Sequence, residues 1–180
     1  MTRLFIGLDL PDYIKQQIIN IQNDLFARNL FEGVMIQPQQ LHLTLKYIGQ
    51  VPTQQIPYIE NALRAIQFNK IVATLGQIGV FEDDGIHVLY QGVDCPVLDI
   101  LVDALESALE SWCIYDNQPF VAHITLFKVA QVYDKHAFLD CIQTYKENQL
   151  SFEINEFLLK KVTNNSDVLL YDTLSVYALY

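Results

Sequence analysis

Positive charge is scarce in this 180-residue chain. Its 11 Lys and Arg stand against 21 Asp and Glu, a formal net charge of −10. Coating long nucleic acid needs clustered cations to displace counterions, so that class of function is excluded. A local pocket that grips one phosphate is not. Glycine (7) and proline (6) are also few, and no Gly/Ser linker or low-complexity stretch marks a domain boundary. No apolar run approaches the ~18 residues that cross a bilayer, so no membrane role is expected. The three cysteines, Cys95, Cys113 and Cys141, are widely spaced and form no C-x-x-C. Their odd count argues against a disulfide framework or a zinc site. Each reads as a small apolar core residue, which fits a reducing cytoplasm. The opening stretch to Leu8 has one positive charge and a short apolar run, interrupted by Asp9, Pro11 and Asp12. It reads as a first strand, not as a signal peptide.

What is present suits a globular enzyme. Half the residues are apolar (51%) and 18% are charged, enough to bury a core. Arg3–Leu10 predicts a strand with Leu4, Ile6, Leu8 and Leu10 on one face and Arg3, Phe5, Gly7 and Asp9 on the other. Helices are expected from Pro11 to about Arg28, Gln54 to Ile66, Pro96 to Trp112, and Asp134 to Lys146. Strands are expected over Gln40–Ile48, Ile71–Phe81, Ile86–Val93 and Val121–Val129. Asp83-Asp84-Gly85 predicts a hairpin turn between the middle two. Ser151–Val162 and Val168–Leu179 form a closing pair around Asn164-Asn165-Ser166. The acidic stripe Asp99, Asp103, Glu106 and Glu110 reads as a solvated helix face. The order is mixed α+β, and the absence of strict βαβ alternation excludes a dinucleotide-binding fold.

One weak repeat carries the chemistry. Residues 41–45 read Leu-His-Leu-Thr-Leu and residues 122–126 read Ala-His-Ile-Thr-Leu. In a strand, residues two apart share a face, so His42 points with Thr44 and His123 with Thr125. If the two strands face one cleft, two imidazoles and two hydroxyls surround one point. That set suits phosphodiester cleavage. One neutral imidazole takes a proton from water, and the other, protonated, gives one to the leaving oxygen. The hydroxyls donate to the non-bridging phosphate oxygens. No metal-ligand spacing appears, and neither metal nor cofactor is expected. His87 and His136 lack this setting, and His136 reads as a surface residue.

The paired His-x-Thr-Leu motifs resemble those of the 2H phosphoesterase superfamily. The chain is similar, more narrowly, to its RNA 2′,3′-cyclic phosphodiesterases, also described as 2′–5′ RNA ligase-like or LigT-like. The resemblance runs through Arg3–Pro11, Leu41–Gly49, Gly79-Val80-Phe81, His87–Tyr90, Tyr171 and Leu179. It implies a bilobal fold over residues 1–180 with pseudo-two-fold symmetry: two antiparallel sheets, flanked by helices, around a central cleft. It also implies hydrolysis of a 2′,3′-cyclic phosphate to a 2′-phosphomonoester, with His123 as general base and His42 as general acid. The two near-equivalent motifs do not by themselves assign those roles. Ala122 stands where the family usually has Pro and Lys128 where Arg is common. Met35 replaces a Trp, and His87 an Arg.

Four further residues are substrate-binding candidates. Phe5 is either a nucleobase platform or ordinary packing. Lys46 either meets a phosphate or is a solvated strand-end lysine. Phe127 either walls the cleft or packs. Lys128 reaches phosphate only if its strand bulges or ends, because strict alternation points it away from His123. The expected substrate is an RNA end or a small nucleotide, with no obligate protein partner. Two alternatives stay open: a 2′–5′ oligoadenylate or ADP-ribose cyclic phosphate as substrate, and a non-catalytic module that binds nucleotide ends.

Overall fold

The computed structural model describes residues 1–112, 119–145, 150–165 and 168–180. Cys113, Ser166 of the last turn and Lys146 at the end of the fourth expected helix lie outside them. The elements run β1 (Thr2–Asp9), α1 (Asp12–Ala27), β2 (Phe31–Met35), β3 (His42–Val51), α2 (Ile56–Arg64), β4 (Ile71–Glu82) and β5 (Ile86–Asp94). They continue with α3 (Val97–Ala108), β6 (His123–Val132), α4 (Lys135–Gln143), β7 (Ser151–Ile154), β8 (Glu156–Asn165) and β9 (Val168–Ala178). The expected α+β class, the four helices and the hairpin between β4 and β5 are all present.

The strands form one curled antiparallel sheet in the order β7-β4-β5-β6-β3-β1-β8-β9, with β2 paired to β6. It divides into two four-stranded halves, β9-β8-β1-β3 and β7-β4-β5-β6. They meet at a single pair, Leu43 opposite Ile124. The two expected sheets are thus joined through the two motif strands. Ser151–Val162, expected as one strand, splits at Asn155, and its second part runs on to Asn165. Its first part pairs with β4 and its second with β1 and β9, so one stretch of chain serves both halves. The short β2 was not anticipated, because Gly33 interrupts its alternation. That glycine is needed: a Cβ there would stand 2.5 Å from the Lys128 carbonyl oxygen.

Each motif strand is backed by a helix from the other end of the sheet. α1 packs on β6, and α3 packs on β3. Ile14, Ile18, Ile21 and Leu25 of α1 are buried at helical spacing, as are Leu98, Leu101, Val102 and Leu105 of α3. α1 ends at Asn29, which adopts φ 52°, a left-handed conformation that asparagine tolerates well. Cys95 is a buried free thiol and Cys141 a half-buried one. No described helix is long and apolar enough to cross a membrane.

Candidate active site

His42 opens β3 and His123 opens β6, and register places them as counterparts. Asp9 of β1 stands opposite His42, and Gly92 of β5 stands opposite His123. Thr44 faces Gly7, and Thr125 faces Tyr90. Both imidazoles make the same local bond. The His42 Nδ1 donates to the Gln40 carbonyl (2.6 Å), and the His123 Nδ1 to the Val121 carbonyl (2.7 Å). A carbonyl only accepts, so the proton sits on Nδ1 in each neutral ring and Nε2 carries the lone pair. The Thr44 hydroxyl donates to the His42 Nε2 at 3.0 Å. The 3₁₀ turn Pro38–Gln40 sets the Gln40 carbonyl, and the Gln40 amide ties that turn to the Leu169 carbonyl of β9 at 2.8 Å.

All four motif side chains line one cavity of about 210 Å³, together with Arg3 and Lys128. Among the described residues no Asp or Glu lines it, although the chain carries a net −10. With Arg3 and Lys128 in its lining, the cavity is suited to an anion. Burial disfavours the charged imidazole and holds both histidines below the ordinary value of 6.5. The Gln40 and Val121 carbonyls oppose that shift. For His42, Lys160 lowers the value further, Asp9 raises it, and His123 lowers it. Among the described residues, no three His, Cys, Asp or Glu side chains are grouped to hold a metal ion.

A matched irregularity decides which neighbours reach the cavity. In β3 the partners step from Thr44–Gly7 to Lys46–Ile6, leaving Leu45 as an extra residue. In β6 they step from Thr125–Tyr90 to Phe127–Leu89, leaving Leu126 extra. A bulge of one residue reverses the alternation beyond it. Lys46 and Phe127, which alternation assigns to the cleft, therefore turn to the helix side. Lys46 is 8% exposed and pairs with Glu106 of α3. Glu106 is accordingly a partner of β3 and not part of a free solvated stripe. Phe127 is fully buried, stacked on Phe26 at 6.4 Å and edge-on to Phe31 at 5.0 Å. Neither lines the cavity. Tyr47 and Lys128, one residue further along, turn into it instead. The Leu126 carbonyl at the β6 bulge accepts from the buried Gln22 amide (2.9 Å) and from the Ile36 N–H (3.0 Å).

Phe5 does line the cavity, but only 1% of it is exposed. Its ring lies 5.0 Å from His42, 5.2 Å from Tyr171 and 6.0 Å from Tyr47. It supports these rings from beneath and leaves no open face for a nucleobase. Tyr47, 61% exposed, has that face. Gly7 beside Phe5 must stay small, since a Cβ there would meet the Leu43 carbonyl oxygen at 2.9 Å and the His42 ring at 3.6 Å. Sequence reasoning missed Arg3, Tyr47 and Tyr171 as lining residues. Arg3 shares the Phe5 face by simple alternation and was findable. Tyr47 was hidden by the bulge. Tyr171 arrives from β9, more than a hundred residues away, and its ring packs edge-on to His42 at 4.9 Å.

A family model described as LigT like Phosphoesterase matches residues 8–90. The RNA 2′,3′-cyclic phosphodiesterase of Methanocaldococcus jannaschii is 26% identical over 174 residues, which is 96% of this chain and 98% of the relative. The Escherichia coli protein of that name is 30% identical over 131 residues, 71% of this chain and 72% of the relative. A crystallised phosphoesterase superposes with a TM-score of 0.84 at 26% identity, over 99% of this chain and 98% of that one. The E. coli LigT complex with NADP+ superposes at 0.78 and 26% identity, covering 99% and 98%. The chain therefore belongs to the LigT-like phosphoesterases of the 2H superfamily.

Proposed function

We propose that this phosphoesterase hydrolyses a 2′,3′-cyclic phosphate at an RNA or nucleotide end, without a metal, using His42 and His123 as its acid–base pair. The observation that carries the reading is the matched pair of imidazoles. Both are pinned through Nδ1 to a carbonyl, so both offer Nε2, and both line one cavity that no described carboxylate enters. Relatives named RNA 2′,3′-cyclic phosphodiesterase support the substrate.

In the proposed reaction a water attacks phosphorus, and one neutral Nε2 takes its proton. The bond from phosphorus to the 3′ oxygen breaks. The other imidazolium gives its Nε2 proton to that oxygen, leaving a 2′-phosphomonoester and a free 3′ hydroxyl. Following the family, His123 is the base and His42 the acid. Thr44 and Thr125 donate to the non-bridging oxygens as charge develops. Burial disfavours an imidazolium in the empty cavity, so the arriving phosphate anion stabilises the protonated member. Lys128 and Arg3 add positive charge, and Tyr47 offers a base-stacking face. Phe5 positions His42. Lys46 and Phe127 have no part in substrate binding. The free thiols fit work in a reducing cytoplasm.

The test is turnover, in EDTA, of a short RNA ending in a 2′,3′-cyclic phosphate and of 2′,3′-cyclic AMP, with products separated by the position of the phosphate. A 2′-phosphate product from either substrate is expected. A 3′-phosphate product, or activity that returns only with a divalent ion, contradicts the reading. A second reading, a small nucleotide as the natural substrate, is favoured by the small cavity and the chain's net charge of −10. It predicts that 2′,3′-cyclic AMP or an ADP-ribose cyclic phosphate is turned over faster than the RNA. Binding of both ligands without turnover points to the non-catalytic module.

A further inference from the structure

Lys160 is, with Lys46, one of two buried charged side chains among the described residues. It lies in the middle of β8 and is 4% exposed. Its Nζ pairs with the Asp9 Oδ1 at 2.9 Å and donates to the Thr173 Oγ1 at 3.2 Å. Asp9 is half exposed and is the cross-strand partner of His42. An ion pair buried to this degree loses solvation and is weak evidence for a stabilising role. Its place beside one of two otherwise matched histidines suggests another use.

The pseudo-two-fold supplies an internal control. Gly7 faces Thr44 as Tyr90 faces Thr125, and Phe5 faces Tyr47 as Val88 faces Lys128. β1 and β5 therefore correspond residue for residue. Asp9 opposite His42 becomes Gly92 opposite His123. Lys160 opposite Phe5 becomes Phe81 opposite Val88. Both members of the ion pair are thus absent from the second half. There Phe81 and Tyr90 meet the His123 ring at 4.8 and 5.3 Å.

We propose that Lys160 and Asp9 act as a charge lever on His42 alone, making two geometrically equal imidazoles electrostatically unequal, with Lys160 a positioning residue that acts through Asp9 and across space. That the inequality serves catalysis rests on the two-histidine reading; the inequality itself does not. The groups facing His42 are Asp9 from β1, Lys160 from β8, Tyr171 from β9 and His123 from β6, with Arg3, Tyr47 and Lys128 on the same cavity. Lys160 opposes protonation of His42 and Asp9 favours it, whereas His123 is governed by burial and the Val121 carbonyl. Taking away either partner leaves the other uncompensated, so the two removals push His42 in opposite directions.

The experiment is a titration of the His42 and His123 ring protons by NMR in the resting protein, without substrate. Lys160→Met leaves Asp9 alone and raises the His42 midpoint. Asp9→Asn leaves Lys160 alone and lowers it. Each shift is expected at about half a pH unit or more, the range of close charge effects. The double variant returns towards the parent, and His123 stays fixed throughout. His42 unmoved, moved the same way by both changes, or moved together with His123 overturns the proposal. If Lys160→Met does not fold, Asp9→Asn decides alone, because it must lower His42 and leave His123 in place. Since no turnover is involved, the result stands apart from whether a cyclic phosphate is the substrate.

Discussion

Beyond the bulge, β3 reads Lys46-Tyr47 where β6 reads Phe127-Lys128. In the first half a lysine goes to the helix side and a tyrosine to the cavity. In the second an aromatic goes to the helix side and a lysine to the cavity. The strands share an imidazole, a hydroxyl, a carbonyl two residues back and an extra leucine at the same place. What differs is everything around that frame. The imidazoles and hydroxyls are duplicated, while the surroundings diverge: Arg3, Tyr47 and Tyr171 reach the cavity on one side, and Lys128 does on the other, where Phe81 and Tyr90 pack on the His123 ring. A symmetric scaffold can in this way bind an asymmetric phosphodiester, with a base on one side and a leaving oxygen on the other.

Four predictions break or sharpen that comparison. Apart from the histidines themselves, the largest effect is expected at the hydroxyls. Thr125→Val removes one donor to developing charge and should lower kcat by about 10²–10³-fold, the range for one such donor. Thr44→Val should cost at least as much, because the Thr44 hydroxyl also bonds the His42 Nε2. Steady-state kinetics on a cyclic nucleotide reads both. Equal, small losses would mean that the hydroxyls only pack.

Next comes the parity reversal. Phe127→Ala should destabilise by about 3–5 kcal/mol in denaturant unfolding, as for a fully buried aromatic. Folded Phe127→Leu should keep its KM. A change in KM without loss of stability would put Phe127 back in the cleft. Lys128→Gln should do the reverse, raising KM about tenfold, on the order of one charge-assisted contact, while stability holds.

The smallest effect concerns acid. In the folded protein burial depresses both imidazoles below their ordinary value. Between the depressed and ordinary values the unfolded chain binds protons that the folded chain refuses. The stabilisation they contribute is therefore present above about pH 6.5 and lost as the pH falls through the folded values. A His42→Gln, His123→Gln variant should lose less Tm than the parent between about pH 7 and pH 5, where histidine titrates. An identical loss in both proteins would mean that the imidazoles are not held neutral by the fold.

Much of this was legible in the chain. The alternation Leu41, Leu43 and Leu45 around His42 and Thr44 fixed the face of each motif. The periodic isoleucines of α1 and the Asp83-Asp84-Gly85 turn fixed their elements. The cavity walls beyond the motifs were not legible, for two physical reasons. A bulge leaves no mark in composition: Leu45 and Leu126 are ordinary strand leucines, yet each reverses the side chains that follow directly. Lys46 and Phe127 were accordingly assigned to the wrong faces, Tyr47 was missed, and only Lys128 was tied in advance to a bulge. The second reason is long-range pairing. Tyr171 and Lys160 reach His42 through β8 and β9, a placement that depends on the split at Asn155 and not on any local pattern.

The central claim is that His42 and His123 work as one acid–base unit drawn from two halves. The most direct measurement is kcat for His42→Ala, His123→Ala and the double variant on 2′,3′-cyclic AMP, with folding checked by circular dichroism. Each single variant should fall by about 10²–10⁴-fold, the range for a general acid or base. The double should be little worse than the singles, since members of one catalytic unit are strongly non-additive. Near-parental turnover in either single variant, or losses that multiply in the double, would contradict the account.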